Sequence, residues 1–143
     1  MRGRDLKGAS FHAADLTDAD FTAADLRFAD FAESQLEQAC FHSARLAGAD
    51  FEEARCLDAD FTHADLRGAS LTKTRLHRAL LRDADLRAAR LKKTDFAEAD
   101  FERAKIAGLD FSLARNFTAE QRARADDRRP GGLLGWLATM RFG

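Results

Sequence analysis

The sequence predicts an all-β solenoid with four-sided coils, and three observations predict it. Apolar residues recur every fifth position from Leu6 to Phe111, 22 in a row without a break. A small residue stands two places before nearly every one of them, Ala in 17 of the 22. The glycines inside this run, Gly8, Gly48, Gly68 and Gly108, are separated by 40, 20 and 40 residues.

A period of five fits neither regular structure. Five residues rotate an α-helix by about 500°, so successive Leu and Phe would scatter around its axis and form no stripe. An uninterrupted strand would throw alternate apolar residues to opposite faces. A short strand followed by a corner solves the problem. The small residue and the Leu or Phe, two apart, point to one side, and the corner turns the next pair inward as well. Repetition builds a solenoid with coils about 4.8 Å apart. The glycine separations, all multiples of twenty, make four units one coil and place the glycines at one shared corner, where a turn with positive φ is expected.

The run of "AD[LF]xx" units resembles the pentapeptide-repeat family, over residues 4 to about 115. The resemblance implies a right-handed, quadrilateral β-helix, here of about 5.5 coils, whose core is the central Leu or Phe and the preceding Ala. It implies no catalytic site and no cofactor.

In columns, the first side stacks Leu6, Leu26, Leu46, Leu66, Leu86 and Ile106; the second Phe11, Phe31, Phe51, Leu71, Leu91 and Phe111. The third stacks Leu16, Leu36, Cys56, Leu76 and Phe96, and the fourth Phe21, Phe41, Phe61, Leu81 and Phe101. Residues 1–115 form this rod. Its N-terminal end carries only Arg2 and Arg4 as edge charges. Residues 116–129 are expected to close the other end: Thr118 and Gln121 fit a capping box, Phe117 an adjacent staple, and the predicted helix runs from 118 to about 129. Pro130-Gly131-Gly132 ends it. Residues 130–143 form an apolar tail holding Leu133, Leu134, Trp136, Leu137, Met140 and Phe142, read either as a flap on the rod or as a partner-binding or dimerisation segment. Family members often dimerise through C-terminal elements.

Function must then sit outside the rod. Net charge is −1, from 23 basic and 24 acidic residues, so no bulk charge drives the chain towards nucleic acid or membrane. No apolar run approaches the roughly 18 residues of a membrane span, and "MRGRDLKGAS" has no apolar signal region, so a cytoplasmic protein is expected. On the first side Asp5, Asp25, Asp65 and Asp85 face Lys7, Arg27, Arg67 and Arg87, which reads as solvated ion pairs. Phe28 and Leu80 break the polar exterior and are candidate contacts. A His/Cys metal site would draw on His42, His63 and Cys40, but no further ligand is in view.

The expected function is therefore a non-enzymatic protein-binding scaffold, with an unidentified partner protein or a second copy bound through the tail. The resemblance supplies an alternative, since some family members mimic B-form DNA, bind DNA gyrase and other type II topoisomerases, and confer quinolone resistance. Asp15, Asp18, Asp20, Asp58, Asp60 and Asp100 would be its acidic surface. Basic residues cut across each column, however, and a rod of about 26 Å is short for a duplex mimic. A third reading is a structural module of a larger assembly.

Overall fold

A computed structural model of the chain describes residues 1–128. Four of the five main-chain N–H groups in a regular repeat unit donate to main-chain carbonyls. Asp25 N–H donates to the Arg4 carbonyl (2.9 Å), and Leu6 N–H donates to the Asp25 carbonyl (2.8 Å). Parallel pairing of this kind joins residues one coil apart along all four sides, for example Asp5 with Asp25, Ser10 with Asp30, Asp15 with Gln35 and Asp20 with Cys40. A four-residue turn follows, closed by Ala9 N–H on the Leu6 carbonyl (3.0 Å). Gly8 N–H reaches the Arg27 carbonyl of the next coil (2.9 Å).

One donor per unit is left, the N–H just after the core residue, and the Asp before that residue takes it. All 12 Asp at this position accept the N–H two residues on, at 2.8–3.3 Å. The commonest acid of the repeat therefore closes the backbone account, because a main-chain donor without a partner is costly.

The corners differ from the expectation of a single glycine corner. The third turn residue has positive φ in every unit up to Gly108, on all four sides. Of the eighteen non-glycine residues with positive φ, all but Asn116 stand at this place, from Ala13 (54°) to Arg103 (55°). Inter-coil bonds impose the conformation on residues that do not favour it. At Gly48 there is a further reason for glycine, since a Cβ there would lie 2.6 Å from two ring carbons of Phe28.

Inside, the phenylalanines stack with the coil rise. Phe11, Phe31 and Phe51 are near-parallel at 5.0 Å between centroids, and Phe21, Phe41 and Phe61 at 4.9–5.1 Å. The two stacks meet edge to face, as Phe21 and Phe31 do at 5.6 Å and 82°. Where Thr replaces Ala, its hydroxyl donates to a core-facing carbonyl: Thr74 to Phe51 (2.7 Å) and Thr94 to Leu71 (2.6 Å). Leu6, Phe11 and Leu16 are only partly buried, because among the described residues nothing covers the first coil.

At the other end, helix α1 spans Ala119–Arg124, shorter than the 118–129 span the sequence predicts. The capping box forms: Thr118 accepts from Gln121 N–H (3.1 Å), and Gln121 Oε1 accepts from Thr118 N–H (2.7 Å). Gln121 Nε2 also donates to the Phe96 and Ala99 carbonyls at 2.8 and 3.0 Å, closing the last coil from above. Phe117 stacks on Phe111 at 3.7 Å. The helix stops early because the chain returns to the wall. Asp126 pairs with Lys105, and Arg128 clasps Asp126 as Arg27 clasps Asp25. The first side thus gains a seventh rung.

One rung is missing. Residues 90 and 110 do not pair, and neither Leu91 N–H nor Asp110 N–H has a partner among the described residues. Lys93 N–H bonds the Leu113 carbonyl, one residue beyond the regular register. Leu109 occupies the small position here, and a Leu that cannot fit beside the core pushes the sixth coil outward. The tail residues Leu133, Leu134, Trp136, Leu137, Met140 and Phe142 lie outside the described residues.

Candidate interaction surfaces

The proposed acidic surface divides in the structure. Asp20, Asp60 and Asp100 share the fourth side, but Cys40 and Leu80 alternate with them in the ladder. Their carboxylates are thus two coils apart, and each already holds a main-chain N–H, of Thr22, Thr62 and Glu102. The Thr22 hydroxyl and N–H lower the pKa of Asp20, as those of Thr17 do for Asp15. Burial raises Asp100, but the Glu102 N–H and Arg82 together outweigh it and the net shift is downward. Asp58 is gripped by Arg78 at 2.7 and 2.9 Å, whose guanidinium lowers its pKa. Asp18 stands exposed at a turn.

On the first side three of the four expected pairs form within their rungs, while Lys7 makes no ion pair with Asp5 and gives it only its main-chain N–H. Arg27, Arg67 and Arg87 each reach both oxygens of the Asp two residues before, at 2.6–2.9 Å. Phe28, 63 % exposed, lies over Gly48, with Lys7 Nζ 6.0 Å from its centroid. Leu80 is half-buried between Asp60 and Asp100 on another side, so the two apolar candidates do not form one patch. Leu113, 62 % exposed, is a further large apolar side chain on the surface of the rod.

His42 and His63 do approach, edge to face at 5.7 Å, and Cys40 Sγ lies 3.3 Å from the Thr22 hydroxyl. Among the described residues, no three His, Cys, Asp or Glu converge into a metal site. Cys56 is fully buried in the third column, where desolvation pushes its thiol pKa up.

The most cationic feature lies along the edge between the second and third sides. A groove of about 470 Å3 there is lined by Arg55, Lys73, Arg75, Lys93 and Arg115, with Glu53 and Asp95 among them. Arg55 pairs with Glu37 (2.8 Å) and Lys73 with Glu53 (2.8 Å). Arg75, Lys93 and Arg115 are exposed and form no ion pair among the described residues. The signal in the sequence was the arginine at 55, 75 and 115 in one column, which side-by-side counts of acids and bases averaged away.

Comparison with known proteins follows this architecture. A family model for pentapeptide repeats matches residues 5–42, 39–78 and 79–115. A trypsin-treated variant of QnrB1, a plasmid-mediated fluoroquinolone resistance protein, superposes with a TM-score of 0.72 at 26% identity. The match covers 80% of this chain and 56% of that one, so the chain spans little more than half its length. A pentapeptide repeat protein from the Arabidopsis thaliana thylakoid lumen is 31% identical over 85% of this chain and 74% of its own, with a TM-score of 0.47. Another, from Nostoc, is 31% identical over 81% and 82%, with a TM-score of 0.46. A search of curated proteins by sequence finds no significant match.

Proposed function

The chain belongs to the pentapeptide-repeat family, and from that premise we propose that it acts without catalysis, as a rigid scaffold that binds another protein. The division of labour within each unit carries this reading. One residue and its small neighbour fill the core, the main chain is spent on coil-to-coil bonds, and three side chains per unit point outward. Columns of side chains about 4.8 Å apart on a stiff wall suit recognition of a protein surface, because little conformational freedom is lost on binding.

A photo-reactive side chain placed in turn at Ala88, Arg78, Lys93 and Arg103, exposed turn residues on four different sides, tests the reading in an extract of the source cells. A discrete adduct from one side or two adjacent ones is the expected result. The same diffuse labelling from all four sides would overturn it.

The likeness to QnrB1 supports a second reading, a DNA mimic that binds DNA gyrase or another type II topoisomerase. The engaged carboxylates weigh against it, since a phosphate mimic needs its acids free and continuous. Gyrase supercoiling with and without a fluoroquinolone separates the two. Inhibition or drug protection at low micromolar protein favours the mimic, and no effect up to tens of micromolar removes it.

A further inference from the structure

We infer that the edge between the second and third sides is a docking groove for an acidic, extended segment of a partner protein. The inference rests on the scaffold reading and names the chemistry of one of its surfaces.

Three observations carry it. First, the ladder sets Arg55 directly against Arg75, the one rung among the described residues that opposes two cations. Like charges directly opposite each other destabilise a ladder, and a bound anion relieves the repulsion. Second, most arginines elsewhere on the rod fold back onto acids of their own rung or the next coil, as Arg67, Arg78 and Arg103 do. The other cations without an ion pair among the described residues, Arg4, Lys7, Arg90, Lys92 and Lys105, do not line this groove. At this edge Asp95 lies in the ladder between Arg75 and Arg115, its Oδ1 accepts Ala97 N–H (3.0 Å) and Asn116 Nδ2 (2.8 Å), and neither guanidinium bonds it, so both keep open donors. Third, a second groove of about 510 Å3 shares Arg75 and Arg115 and runs on past Leu57 and His77. An apolar contact point therefore adjoins the charged ones.

The same geometry distinguishes a peptide from a nucleic-acid strand. Glu53 and Asp95 interrupt the cations, and a phosphate backbone, which offers only acceptors, is repelled at each of them. A peptide brings N–H donors for these carboxylates as well as acids for Arg75, Lys93 and Arg115. The chain as a whole carries −1, so an acidic ligand gains from this edge and not from the bulk charge.

The test is fluorescence polarisation of a labelled twelve-residue peptide of Glu and Asp with two Leu, against the full chain. An oligothymidylate of equal charge is run beside it. Micromolar peptide binding is expected, weakened at least tenfold by Arg75→Glu with Arg115→Glu and by raised salt, and unchanged by Lys105→Glu. Arg75→Gln, which removes charge without reversing it, should weaken binding by a smaller factor. Absence of peptide binding, binding indifferent to these substitutions, or tighter binding of the oligonucleotide each overturns the inference. The scaffold reading has its own readout: a discrete cross-link from another side would leave it standing when the peptide fails to bind.

Discussion

Removing one aspartate of the repeat isolates its backbone role. Asp60 accepts Thr62 N–H at 2.8 Å and makes no ion pair among the described residues, and Asp50 does the same for Glu52 N–H at 2.9 Å. Asp60→Ala or Asp50→Ala removes the side-chain acceptor of that N–H, in a half-covered turn at Thr62 and an exposed one at Glu52. The nearest measured analogue is loss of a helix N-cap, which costs about 1 kcal/mol. In a chain of 143 residues that lowers the thermal midpoint by about 3 °C. The asparagine variants keep the acceptor oxygen and should lose less than about half as much. Amide hydrogen exchange supplies the local readout, since Thr62 N–H should exchange faster in Asp60→Ala while Phe61 N–H, bonded to the Leu80 carbonyl at 2.8 Å, stays protected. The converse change is Gln35→Asp, which offers a cap to Glu37 N–H and should raise the midpoint. Equal effects of Ala and Asn, or an unchanged Thr62 amide, would refute the capping role and return these acids to surface display.

Three further outcomes follow from the same geometry. Gln121→Ala breaks the capping box and leaves the Phe96 and Ala99 carbonyls without its amide; a loss of about 2–3 kcal/mol is expected in denaturant unfolding. Gly48→Ala strains a φ of +69° and drives a Cβ against Phe28, so it should cost about 1–2 kcal/mol, and at least ~0.5 kcal/mol less when Phe28→Ala clears the ring. Asp25 and Asp126 have pKa values lowered to about 2 by Arg27 and Arg128. A carboxylate depressed in the folded state stabilises above its unfolded value near 4 and loses that contribution as pH falls towards 2. Thermal midpoints measured from pH 5 down to 2 should therefore fall less steeply in Asp25→Asn with Asp126→Asn than in the parent.

Much of the architecture was legible because it depends on side-chain size at fixed spacing. Leu26, Phe31, Leu36 and Phe41 follow one another around a coil, and all are fully buried. Thr118 and Gln121 announced the cap through a spacing of three. The end of α1 was less legible, because the chain leaves the helix to pair Asp126 with Lys105, a bond to a residue more than twenty positions back. The twin of Asp25 and Arg27 in Asp126 and Arg128 was visible in the letters, but displaced by one residue from the twenty-residue frame.

The sequence by itself determined the five-residue unit, the twenty-residue coil and the identity of the core, since inward and outward positions follow from local alternation and bulk. The tertiary structure alone decided what the polar residues do. It turned the repeated Asp into a cap, forced positive φ on Ala, Glu, Lys and Phe at the corners, and let Leu109 break one rung. It also left Arg75, Lys93 and Arg115 unpaired while binding most other arginines to acids. Those outcomes depend on which groups lie one coil away and how far each side chain can reach, and that is set only when the coils are stacked.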